Sequence, residues 1–90
     1  MKTEFKESFA RDLKRLKDKA VLGQVKAAIE QVEQASTVQE VSRLKRLSAG
    51  SSGNYYRIRI GDYRLGLVIE NNVAIFVRCL DRKEIYRFFP

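Results

Sequence analysis

The sequence predicts an α+β fold of order β-α-α-β-β-β, an antiparallel sheet with an N-terminal helical hairpin packed on one face. Three observations predict it. Apolar residues recur at helical spacing through the first third of the chain. After residue 54 they alternate or run together in three short stretches. Two tight-turn pairs, Gly61-Asp62 and Asn71-Asn72, separate those stretches. Ninety residues suit one domain over 1–90, and the chain shows neither a repeat nor a linker.

Each element has its own warrant. Residues 2–5, KTEF, suit a short edge strand. Phe9, Leu13 and Leu16 follow with Lys and Arg between them, an amphipathic helix over about residues 6–18. Val21, Val25, Ala28, Ile29 and Val32 form the apolar stripe of a second helix at about 20–35. So short a break makes the two an antiparallel hairpin. Residues 36–53 show little periodicity, and SSGN at 51–54 reads as a loop. In RLKRL (43–47), Leu44 and Leu47 anchor the segment on the core. Arg43, Lys45 and Arg46 are then either a solvated face or contacts to nucleic-acid phosphates. Residues 54–60 alternate, as do 63–70 in their first half. VAIFVRCL (73–80) is almost continuously apolar, as a central strand buried on both faces would be. The tail, DRKEIYRFFP, is charged and aromatic. Phe88 and Phe89 read as packing residues that cap the sheet edge or meet a partner helix.

Composition narrows the function. The chain carries 18 basic and 11 acidic residues, a net charge of +7. A small basic domain faces a polyanion or an acidic protein partner, and nucleic acid is the first candidate. No long apolar run is present and the first residues, MKTEFKESFARDL, are charged throughout, so a cytoplasmic protein is expected. The single cysteine, Cys79, fits a reducing compartment and reads as a buried structural thiol. The chain has no histidine, which removes the commonest general base and the commonest metal ligand. No metal and no cofactor are expected.

The hairpin YYRIRIGDYRLGL (55–67) concentrates the charge. A two-residue turn at Gly61-Asp62 sets Ile60 opposite Tyr63, Arg59 opposite Arg64 and Arg57 opposite Gly66. All three arginines then share one face. Tyr56, Ile58, Ile60, Leu65 and Leu67 point to the other, which should carry the helices. Directly opposed like charges cost a sheet stability. Either long side chains solvate an exposed face, or the face is an anion site. The last strand delivers Arg78, then Asp81, Arg82 and Lys83, near the same end as the first turn. Gly66 leaves space for a ligand to approach the backbone, and Tyr86 suits stacking on a base. A three-residue turn at 71–73 would flip the parity of the last strand and move Arg78 to the other face.

These features resemble the RelE/ParE superfamily of type II toxin–antitoxin toxins, and its RelE-type ribosome-dependent mRNA endonucleases in particular. The resemblance covers almost the whole chain. It rests on size, on element order, on LKRLSAG before the sheet, on YRIRIGDYRLGL, and on DRKEIYRFF at the end. It implies metal-independent cleavage, in which the RNA 2′-hydroxyl attacks the adjacent phosphate and cations stabilise the transition state. By the same resemblance Arg64 stabilises the phosphate, Arg82 is an acid or charge stabiliser, and Tyr86 orients the substrate. Arg57 and Arg59 stand where some members have lysines, and Asp81 where many have histidine. Asp81 is then either the base or the partner that holds Arg82. Lys83, Lys45 and Arg46 are expected to bind RNA with Arg57 and Arg59. Arginine almost never gives up its proton, so the usual base candidates are missing. The implied partners are the ribosome, mRNA and a cognate acidic antitoxin, with no membrane. The alternatives are a ParE-like inhibitor that binds DNA gyrase, a degenerate antitoxin-binding member, and a plain nucleic-acid-binding domain.

Overall fold

The two helices are set by their ends as much as by their stripes. Helix α1 (Glu7–Arg15) has Glu7 in its first turn and Lys14 and Arg15 in its last, which complements the helix dipole. Helix α2 (Lys19–Gln34) starts at Asp18, whose carboxylate accepts from the backbone N–H groups of Ala20 at 2.9 Å and Val21 at 3.2 Å. The structure is a computed structural model and describes residues 1–47 and 53–90. Of the SSGN loop, Ser51 and Ser52 therefore lie outside the described residues.

Strand β1 (Lys2–Phe5) precedes the helices, and a single 3-10 turn (Val38–Glu40) follows them. The other strands are β2 (Leu44–Arg46), β3 (Tyr55–Ile60), β4 (Tyr63–Glu70) and β5 (Val73–Asp81). A short helix α3 (Ile85–Phe88) ends the chain. The described strands form one sheet in the order β1-β5-β4-β3-β2. The α+β class and the helical hairpin stand, with three differences. First, β1 joins β5 in parallel, so the sheet is mixed. Second, β2 is an additional strand, antiparallel to β3. Third, the tail forms a helical turn.

The β3–β4 register has Ile60 opposite Tyr63, Arg59 opposite Arg64 and Arg57 opposite Gly66. Gly61 supplies the positive φ of 53° that the turn requires. At the next turn Asn71 and Asn72 both have positive φ, the two-residue geometry that matches strand twist. Parity nevertheless changes along β5. A bulge places Gly66 opposite Arg78 but Leu67 opposite Phe76, so Val77 is an extra residue. Without it, Arg78 would stand opposite Leu65 in the core. The bulge keeps Arg78 on the face of the arginines and returns Cys79 to the core.

The main core lies between the helices and one sheet face. Phe9, Val25, Val32, Ile58, Leu65, Leu67 and Phe76 are fully buried there. A second, smaller apolar patch forms on the opposite face. Ile85 and Phe89, one helical turn apart, are both buried but stand outside the main cluster. Phe89 packs edge-on to Tyr55, ring centroids 5.7 Å apart. It also fills the space above Gly66, where an added Cβ would come within 2.6 Å of the Phe89 ring. The space at Gly66 is therefore taken by the protein's own C-terminal segment rather than left for a ligand. Of the two terminal phenylalanines Phe89 is buried, whereas Phe88 is 54% exposed.

Gly66→Ala should therefore act by overpacking. We expect a loss of about 1–3 kcal/mol in urea unfolding. Pairing it with Phe89→Leu should recover part of that loss, because a smaller side chain vacates the space.

Candidate nucleic-acid interface

The site is built on the hairpin β3–β4. Successive residues alternate faces, so Arg57, Arg59 and Arg64 emerge opposite the buried Ile58, Ile60 and Leu65. Strand β2 adds one more cation. Lys45 pairs with Arg57 and shares its face, while Arg46 pairs with Tyr56 on the helix side. Arg46 is also engaged locally, its Nε donating to the Gly53 carbonyl at 2.6 Å. Arg43 adopts a left-handed φ of 63°, which turns its carbonyl towards β3. That oxygen accepts from Arg57 Nη1 at 3.1 Å and from the Arg59 N–H at 3.3 Å.

Arg64 is the centre of the group. Its Nη1 donates to the Gly61 carbonyl at 2.8 Å and to the Tyr63 carbonyl at 2.9 Å. These bonds fix one nitrogen and leave the rest of the guanidinium fork available. Burial pushes its pKa below the ordinary arginine value. The charges of Arg57, Arg59 and Arg82 push the same way, and Tyr86 opposes them. Three guanidiniums and one phenol thus act on Arg64. Among the described residues no carboxylate forms an ion pair with Arg57, Arg59, Arg64 or Arg82. Backbone carbonyls hold the guanidiniums of Arg57 and Arg64, and cations fixed in this way suit an anion.

The C-terminal segment supplies the rest. The Arg82 N–H donates to the Asp62 carbonyl at 2.8 Å, which ties the start of the tail to the first hairpin turn. Tyr86 on α3 is 57% exposed, its ring presented to solvent. Lys83 is exposed as well. Asp81 is placed differently from the arginines. It pairs with Tyr63, on the helix side of the sheet, and lines a cleft there with Asp12, Arg15 and Leu16. Its Oδ1 accepts from the Lys83 N–H at 2.8 Å. Among the described residues it makes no ion pair with Arg82. Asp81 shapes the turn, and Arg82 is held through its backbone instead.

One residue of consequence escapes the sequence reading. Asp12 is buried on α1 within the stripe of Phe9, Leu13 and Leu16. Its carboxylate accepts from Arg78 Nε at 2.8 Å, from Arg78 Nη2 at 3.1 Å and from the Cys79 N–H at 2.9 Å. That hydrogen-bonded pairing raises the pKa of Arg78. The Arg78 guanidinium also lies over the Phe88 ring, 5.2 Å from its centroid. A carboxylate on the apolar face of an otherwise basic helix was the available signal. Cys79, fully in the core, has its thiol pushed up to about 12 by burial and by Asp12. Among the described residues no cluster of three potential metal ligands occurs. No described helix is long and apolar enough to cross a membrane.

With this geometry in view, the chain can be set beside known proteins. A family model described as the ParE toxin of the type II toxin–antitoxin system parDE matches residues 3–86. Toxin RelE3 of Methanocaldococcus jannaschii is 34% identical over 90 residues, the full length of both chains. A crystal structure of a RelB–RelE antitoxin–toxin complex from Methanococcus jannaschii matches with a TM-score of 0.78 at 32% identity, covering 97% of this chain and 99% of that one. An archaeal RelE–RelB complex from Pyrococcus horikoshii OT3 has the same fold, with a TM-score of 0.71 at 19% identity over 90% of this chain and 93% of that one. The fold and the match to the family model define a toxin of a type II toxin–antitoxin system. Within that class the chain belongs to the RelE/ParE superfamily and is of the RelE type.

Two predictions test the physical description. Asp12→Ala leaves Arg78 without its buried partner and the Cys79 N–H without an acceptor, and should cost about 3 kcal/mol in chemical denaturation. The raised thiol pKa makes Cys79 a source of stability below its ordinary value of 9.0, lost as pH climbs towards about 12. Over that window the unfolded chain releases the thiol proton first, so stability must fall as pH rises. Alkaline denaturation of the wild type and of Cys79→Ala should show a shallower fall for the variant.

Proposed function

We propose that this toxin is a metal-independent endoribonuclease that cuts mRNA on the ribosome and so blocks translation. The observation that carries this reading is the shared outer face of Arg57, Arg59 and Arg64 on one hairpin, with the Arg82 backbone tied to that hairpin's turn and an exposed tyrosine on the segment that follows. A phosphodiester fits such a site. Arg57 and Arg59 hold the backbone of the strand, with Lys45 adding charge at the edge. Tyr86 stacks on a base drawn out of the strand, where single-stranded RNA is most readily read. The 2′-hydroxyl oxygen bonds to phosphorus while the bond to the 5′-oxygen breaks. The hydroxyl loses its proton to water and the departing 5′-oxygen gains one from water. Arg64 and Arg82 stabilise the charge that builds on the phosphate oxygens, and charge stabilisation is the principal contribution of the site. Asp81 is assigned no proton transfer, since its carboxylate lies on the side of Tyr63.

A second partner follows from the relatives, two of which were solved as complexes of RelE with RelB. A chain of net charge +7 with an uncompensated arginine face suits a cognate acidic antitoxin, held by complementary charge. The match to a ParE model supports one other reading, in which the same surface binds DNA gyrase without cutting RNA.

Induced expression with primer extension on a translated reporter mRNA tests the proposal. The wild type should generate new ends within codons. Arg64→Ala should lower their rate by about 10²–10³-fold with the fold retained, because the side chain lies on the outer face of the sheet. Arg64→Lys should fall between the two, because lysine keeps the charge but loses the planar fork. Growth arrest with intact mRNA would move the target to gyrase.

A further inference from the structure

We propose that Asp12 and Arg78 are positioning residues for Tyr86, acting through the ring of Phe88. The inference rests on the RNA-cleaving reading of the site but concerns groups outside it. Helix α3 is a single turn. It is pinned to the sheet by Ile85 and Phe89, both buried on one side of it. Two anchors on one line fix where the turn sits, but they leave its rotation about that line free. Tyr86 and Phe88 project from the unburied side, at 57% and 54% exposure. Any rotation of α3 therefore swings the tyrosine relative to Arg64.

Phe88 supplies a third point of attachment. Its ring lies under the Arg78 guanidinium, 5.2 Å from carbon to centroid. A half-exposed ring gains little from burial alone, so the flat cation is what gives this contact a direction. The guanidinium is itself held at two points, because Nε and Nη2 both donate to the Asp12 carboxylate. Asp12 is buried and additionally holds the Cys79 N–H. The chain of contacts thus runs from α1, round the edge of β5, to α3 on the other face. A rigid helix on one side of the sheet sets the direction of an aromatic side chain on the other.

The test uses Phe88→Leu, which keeps the apolar bulk without a π face, and Phe88→Tyr, which keeps the π face. Two measurements are made on the full chain. The first is hydrogen exchange of the Arg87 and Phe89 amides, which bond to Glu84 and Ile85 within the turn. The second is cleavage of reporter mRNA, with and without Tyr86→Ala. Phe88→Leu should speed exchange at those amides by about two- to fivefold, leave the melting temperature in place and lower cleavage. Phe88→Tyr should restore both. In the Tyr86→Ala background Phe88→Leu should cost nothing further, since the residue it acts through is gone. Arg78→Lys, which loses the two-point grip on Asp12, should repeat the Phe88→Leu pattern in exchange. Equal behaviour of the leucine and tyrosine variants would overturn the proposal, and so would a loss of cleavage that multiplies in the Tyr86→Ala background. If the wild type cuts no RNA, the endonuclease reading falls, and the exchange measurement by itself decides the positioning claim.

Discussion

A strand that outruns its neighbour has polar backbone groups to satisfy, and that constraint organises this molecule. Strand β1 pairs with β5 only as far as Phe76. From Val77 onward the edge of β5 needs other partners. Helix α1 and the residue before it provide them. The Lys6 N–H donates to the Phe76 carbonyl at 2.9 Å, and Ser8 Oγ to the Val77 carbonyl at 2.6 Å. Asp12 then accepts the Cys79 N–H. The helix serves as a surrogate strand through its side chains. Its position on the sheet, the place of the bulge and the face taken by Arg78 all follow from this substitution.

What was legible in the sequence was local. The arginine register follows from alternation plus a two-residue turn, both properties of a dozen consecutive residues. Strand β2 was not legible, because of its three residues only Leu44 is partly buried; pairing with β3 makes it a strand. The bulge at Val77 lies in an unbroken apolar run, where one extra residue leaves no mark except that Arg78 would otherwise be buried opposite Leu65. Gly66 was read as open space because the ring that fills it arrives from the far end of the chain. Asp81 adjoins Arg82 in sequence, but Asp81 ends β5 opposite Tyr63 on the helix side, and Arg82 begins the turn beyond the strand. That Arg57, Arg59 and Arg64 share a face needed only one correct register. The support beneath them needed three elements distant in the chain.

The two sides of the sheet carry different loads. One is covered by both long helices over a continuous apolar core. The other is divided. Towards α3, Tyr55, Ile85 and Phe89 make a small apolar patch over Gly66. Towards the first turn, cations stand without a carboxylate partner among the described residues. This division explains how like charges can be tolerated on adjacent strands. Their repulsion is opposed by the core beneath them and by backbone carbonyls at Gly61, Tyr63 and Arg43 that each accept from a guanidinium or its strand.

The cations at the centre of this surface are arginines, and the chain has no histidine. Such a surface has no internal switch. It holds no imidazole, and the chain's one thiol is buried in the core on the other face. On the proposed reading, an acidic partner restrains the protein by covering this surface. Control then becomes a question of supply: the restraining molecule must be made in at least equal number, and the surface is exposed as soon as that number falls behind.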